Sequence, residues 1–144
     1  MTLSPEERRA FLDEPLVATL AVAREGERAP LAVPVWFWQE DNGDLLFFTE
    51  ADSLKSRLVE AAGRFSLLVQ RTEPTYRYVS AEGPVVSATP TTPDESYTDA
   101  ARYLAPDKVD AYVERTGATG DPTAGLVTYR MRPEHWFSAD LGSL

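Results

Sequence analysis

Apolar and polar positions along the chain repeat with two periods, and the change from one to the other marks the elements. From Leu16 to Arg24, Leu16, Ala18, Leu20 and Val22 alternate with Val17, Thr19, Ala21 and Ala23, so both faces are apolar. That pattern predicts a buried strand. Pro30 to Gln39 sets Val33, Val35 and Phe37 on one face against Pro34, Trp36 and Trp38 on the other. Pro34 has no N–H for a ladder, which predicts an edge or bulge where the backbone stays free to meet a ligand. Leu45 to Thr49, Phe65 to Arg71, a long Tyr76 to Thr89, and Ala124 to Arg132 make about six strands in all. Glu82-Gly83-Pro84 interrupts the long one and predicts a bulge or bend.

Turn chemistry separates these strands. Glu25-Gly26-Glu27-Arg28 and Asp41-Asn42-Gly43-Asp44 read as hairpin loops, the second because Asn-Gly tolerates positive φ. Ser4, Pro5 and Glu7 form a capping box that opens a short helix from Pro5 to Asp13, a lid on one barrel end. A second helix follows Ser53, with Leu54, Leu58 and Ala61/Ala62 at helical spacing and a stop at Gly63. Tyr97, Ala101 and Leu104 fit a third helix, and Val109, Tyr112 and Val113 a fourth after Pro106. Both are amphipathic, and no chemistry is assigned to either. The tail from His135 to Asp140 extends the last strand or crosses to a partner. Strands without βαβ alternation predict a mainly β fold, a β-barrel with α decoration. Residues 1–144 read as one domain.

Charge and composition narrow the chemistry. A formal net charge of -9 argues against nucleic-acid and anionic-membrane surfaces, so any anion site must be local. With no cysteine and one histidine, thiol chemistry, disulfides and Cys/His zinc sites drop out. His135 reads as a structural hydrogen-bonding residue. Asp52, Glu60, Glu82 and Asp94-Glu95 show no spacing diagnostic of carboxylate catalysis, so no catalytic residue and no metal ligand is assigned. The N-terminus lacks the basic segment and apolar run of a signal peptide, and no apolar stretch approaches the ~20 residues of a membrane span. A cytoplasmic protein is the expectation.

The stretch from Phe47 to Leu58 is the most informative. A buried strand ends in a polar turn and runs into a helix whose first turn carries Ser53, Lys55 and Arg57. Helix starts favour anions through unpaired N–H groups and the helix dipole. On spacing alone a plain cap at Asp52 or Ser53, with solvated cations, is the simpler reading. Trp36, Trp38, Trp136, Tyr76 and Tyr78 could stack on a flat heterocycle, although most read as core or interface residues.

Phe47-Phe48-Thr49 with Ser53 and Lys55, then Gly63-Arg64-Phe65-Ser66-Leu67-Leu68-Val69, then Arg77-Tyr78-Val79-Ser80-Ala81-Glu82-Gly83, resemble the pyridoxamine 5'-phosphate oxidase family. The likeness spans about residues 16 to 86. Pro34-Val35-Trp36, Ala81-Glu82-Gly83-Pro84 and Pro133-Glu134-His135-Trp136-Phe137-Ser138 are similar to its flavin/deazaflavin oxidoreductase branch, common in actinobacteria. The resemblance implies a split β-barrel homodimer with FMN, or the deazaflavin F420, in grooves between subunits. Val33, Pro34, Val35 and Trp36 would line the ring through backbone groups. Phe48 and Thr49 would meet the ring or ribityl chain, and Ser53 and Lys55 the phosphate, with Arg57 as a second cation. Arg77, Tyr78 and Trp136 would come from the other subunit.

The departures are equally informative. Leu54 stands where the oxidase has an arginine, Ala32 falls where another is expected, and Phe37 or Trp38 replaces the lysine that meets the substrate. The C-terminal Arg-Leu-His-Asp-Arg motif is missing. These changes argue against vitamin B6 oxidation. The implied function is flavin- or deazaflavin-dependent hydride or electron transfer to a small molecule. FMN is favoured over F420, whose acidic tail needs more cations than Lys55, Arg57 and Arg24 or Arg28 supply. The alternative is a non-catalytic module holding a flavin or haem on the same fold, with haem weakened by the single histidine.

Overall fold

The computed structural model describes residues 1–143 and shows eight antiparallel strands in a curled half-barrel with four helices. In chain order these are α1 (Pro5–Leu12), β1 (Ala18–Val22), β2 (Leu31–Val35), β3 (Trp38–Gln39), β4 (Leu45–Glu50) and α2 (Leu54–Ala62). There follow β5 (Arg64–Arg71), β6 (Arg77–Pro90), α3 (Pro93–Tyr103), α4 (Pro106–Thr116), β7 (Leu126–Met131) and β8 (His135–Asp140). The strand order is β2-β1-β5-β6-β7-β4-β3, with β8 also paired to β6. Leu20, Phe47, Leu67, Tyr129 and Met131 lie at the centre of the core, and Phe65 meets Phe47 edge-on at 5.2 Å. Among the described residues no helix is long and apolar enough to cross a membrane.

The second predicted strand is two strands. β2 and β3 lie at opposite ends of the strand order, so Trp36-Phe37 carries the chain from one end of the curled sheet to the other. Strict alternation fails there because Phe37 and Trp38 are both buried. The cause is distant in sequence: the Phe37 N–H donates to the Tyr103 hydroxyl at 3.2 Å, which replaces the lost ladder bond. Pro34 does sit on an edge strand, since β2 pairs only with β1.

The tail forms a strand of its own chain. β7 pairs with the later half of β6, and β8 continues along the same side of the earlier half, from Glu82↔His135 to Arg77↔Asp140. Between them the backbone of Arg132 to Glu134 crosses β6 at Gly83, where a Cβ would stand 1.9 Å from the Arg132 carbonyl oxygen. Gly83 is therefore required by close approach. The irregularity predicted near it falls slightly later, between Val85 and Ser87.

In α2 the predicted Leu58 and Ala62 pack against the core but Leu54 does not, and α3 presents a different face from the one its apolar spacing predicts. In α2, Leu54 is 43% exposed, whereas Ser56 and Val59 are buried. Ser56 can turn inward because its hydroxyl bonds that of Tyr129. In α3, Tyr97 is exposed and Ser96, Asp99 and Ala100 are buried. Ser96 is satisfied by Thr116 of α4 at 3.0 Å.

Candidate functional site

A cleft of about 390 Å³ opens between the strand ends and the α3–α4 hairpin. One wall consists of Pro34, Val35 and Trp36 where β2 ends, with Phe48, Thr49 and Glu50 of β4. Lys55 in the first turn of α2 stands at its edge. The opposite wall is Asp99 of α3 with Tyr112, Arg115 and Thr116 of α4. The two helices to which the sequence assigned no chemistry thus form one wall of the cleft.

Local structure fixes each contributor. The break at Trp36-Phe37 turns the Trp36 ring under the helices, stacked on Tyr103 at 4.7 Å and near Tyr112 at 5.3 Å. Tyr103 is held by Leu16, whose carbonyl accepts its hydroxyl at 3.0 Å, and burial raises its pKa. Arg102 anchors the same helix by donating to the Leu12 and Glu14 carbonyls and stacking over Phe37.

At the start of α2, Ser53 is the N-cap. Its hydroxyl accepts from the Ser56 N–H at 3.2 Å and lies 3.3 Å from the Thr49 hydroxyl. The first intrahelical bond runs from the Arg57 N–H to the Ser53 carbonyl, leaving the preceding N–H groups of Leu54 and Lys55 without helical acceptors. Lys55 and Arg115 have no carboxylate partner among the described residues, although Glu50 and Asp99 line the same cleft.

Asp99 is the anomalous group. It is 3% exposed, and its Oδ1 is closed from solvent without a hydrogen-bond partner. Burial, only partly offset by the Arg102 charge, pushes its pKa up to about 7. Burial, reinforced by Asp99, also raises the Tyr112 pKa.

Other residues singled out in the sequence lie elsewhere. Val33 packs against the barrel core. Arg57 turns back to donate to the Asp52 carbonyl at 2.7 Å. Arg77 pairs with Asp140 at 2.7 Å, Tyr78 stacks on Phe137, and Trp136 lies beneath Arg8. His135 is exposed and borders a separate hollow with Ser66, Ser80 and Glu82. Asp99 escaped the sequence reading because apolar periodicity selects the wrong face of α3, and Arg115 because it is an exposed arginine near the end of α4. Only α3 turns polar residues inward, at Ser96 and Asp99, whereas the buried residue of α4 is Val109.

A search of curated protein sequences returned no match. Solved structures share the fold. An F420 reductase aligns with TM-score 0.65 and 24% identity over 93% of this chain and 98% of its own. A conserved hypothetical protein of Mycobacterium tuberculosis aligns with TM-score 0.71 and 19% identity, over 97% of this chain and 86% of its own. A FAD-binding protein of Mesorhizobium loti aligns with TM-score 0.66 and 21% identity, over 97% and 96%. The family pattern described as pyridoxamine 5'-phosphate oxidase matches residues 4–139, nearly the whole described chain. With its split barrel and its cleft at the strand ends, the chain belongs to the pyridoxamine 5'-phosphate oxidase family.

Proposed function

We propose that this protein is a flavin- or deazaflavin-dependent oxidoreductase acting on a small molecule, with FMN the favoured cofactor and the cleft its site. One observation carries the reading: strand-end backbone, aromatic rings and an unpaired helix-start lysine converge on one cleft. The family and the neighbours named as F420 reductase and FAD-binding protein support a flavin-related role. When bound, such a cofactor supplies the hydride or electron chemistry, which leaves binding, orientation and exclusion of water to the protein.

The residues present suit that task. Trp36 and Phe48 offer apolar surface to a flat ring, while Val35 and Trp36 offer backbone groups from an edge strand. Thr49, Ser53 and Lys55 form the phosphate end. Arg57 is engaged with Asp52, so Arg115 takes the place of second cation. In the homodimer that we infer for the working form, Arg77, Tyr78 and Trp136 of a second copy complete the groove. The lost oxidase residues at Leu54 and in the tail set vitamin B6 oxidation aside.

Absorbance and fluorescence titration of purified protein with FMN, F420 and haem, followed by turnover with NAD(P)H or reduced F420, tests this. Saturable FMN or F420 binding with turnover is the expected result. Absence of both complexes refutes the reading, and binding without turnover replaces it with a holding module on the same fold.

A further inference from the structure

The inward face of α3 places a carboxyl where none of the barrel's needs explains it. Asp99 lines the cleft and is 97% buried; its Oδ1 is closed from solvent and unpartnered, which leaves the second carboxyl oxygen to meet a ligand. An unpaired buried carboxylate costs several kcal/mol, whereas a neutral carboxyl is a hydrogen-bond donor awaiting an acceptor. Its charged surroundings favour an anionic acceptor. From α4, Arg115 and Tyr112 face the same space, and across it stand Lys55 of α2 and Glu50 of β4. On its own helix, Arg102 and Tyr103 lie within one turn, with Arg102 donating to the Leu12 and Glu14 carbonyls and Tyr103 to that of Leu16. Glu95, one turn earlier, accepts from the Thr92 N–H and the Thr128 hydroxyl.

We propose that Asp99 is a binding residue for a phosphate-type oxyanion: in its protonated form it donates a hydrogen bond to an anion oxygen, while Lys55 and Arg115 supply the opposing charge. This rests on reading the cleft as a ligand site and gives its α3–α4 wall a specific chemistry. Deprotonation of Asp99 would set a like charge against the anion and remove the donor. Affinity should therefore fall as pH rises through the point where Asp99 ionises. The oxyanion belongs either to the cofactor's phosphate or to a phosphorylated or carboxylated second reactant.

Inorganic sulfate is the direct probe, because its charge is constant across the range. Its dissociation constant is measured by calorimetry at fixed ionic strength at pH 6, 7 and 8 on the wild type, Asp99→Asn and Asp99→Ala. With ionisation near 7, wild-type affinity should weaken about tenfold from pH 6 to pH 8. Asp99→Asn, which keeps an N–H donor and cannot ionise, should bind with a flat profile, and Asp99→Ala should bind more weakly with a flat profile. Competition with FMN assigns the oxyanion to the cofactor, and simultaneous binding assigns it to the second reactant. A wild-type profile that is flat, an identical slope in Asp99→Asn, or no sulfate binding overturns the proposal. Since sulfate carries no ring, failure to bind flavin overturns the cofactor reading alone.

Discussion

Replacing Asp99 by asparagine should make the protein more stable at neutral and alkaline pH. The carboxyl ionises near 3.8 in an unfolded chain and at about 7 in the folded one. Between these values the folded state retains a proton that the unfolded chain has released. Stability from this group is thus full below pH 3.8, declines as pH rises, and is fully lost above about 7. A displacement of about 3 pH units at ~1.4 kcal/mol each sets the loss on the order of 4 kcal/mol. Asparagine removes the charge but buries an unpaired amide, which costs ~1 to 2 kcal/mol. The net gain at pH 8 is therefore about 2 to 3 kcal/mol, roughly 5 to 10 °C in Tm for a domain of this size. Urea unfolding of both proteins from pH 4 to 8.5 measures it. At pH 4, where wild type has lost little, the variant should be about 1 kcal/mol the less stable, and it should overtake wild type with increasing pH. A variant no more stable than wild type at pH 8, or a difference independent of pH, refutes the assignment of a buried unpaired carboxyl. Stabilisation on removal is what a group retained for binding rather than for packing predicts.

Two further substitutions probe the framework that forms the cleft. Gly83→Ala places a methyl 1.9 Å from the Arg132 carbonyl oxygen, so β8 must shift off β6, and thermal unfolding should show a loss of about 3 kcal/mol or more. Tyr103→Phe leaves the Phe37 N–H and Leu16 carbonyl without their shared hydroxyl, which should cost about 1 to 2 kcal/mol and raise hydrogen exchange at Phe37.

The legible parts of this chain were those whose causes are local. The capping box at Ser4 and Glu7, the Asn42-Gly43 hairpin and the left-handed glycine ending α2 each act within a few residues, and each stands where its motif indicated. The break between β2 and β3 was hidden because Tyr103, far along the chain, supplies the bond that permits it. The α3 face was misread for a related reason. Ser96 turns inward because Thr116 satisfies it, and Asp99 because the fold leaves it a cleft, so polarity no longer marks the outside. At the candidate site, the family likeness named the Pro34–Trp36 and Phe48–Lys55 wall. It carried no information about the α3–α4 wall, where Asp99 and Arg115 lie.

The account depends above all on Lys55 marking the phosphate end of a flavin cleft. Its most direct test compares the dissociation constants of FMN and riboflavin on the wild type and on Lys55→Ala. The two ligands share a ring and differ by the phosphate, so FMN should bind the wild type more tightly. Loss of one charged hydrogen bond, ~1.5 to 3 kcal/mol, should weaken FMN about 10- to 100-fold in the variant and leave riboflavin nearly unchanged. Equal FMN affinity in wild type and Lys55→Ala, or an equal loss for both ligands, would contradict the assignment of this helix start as the phosphate site.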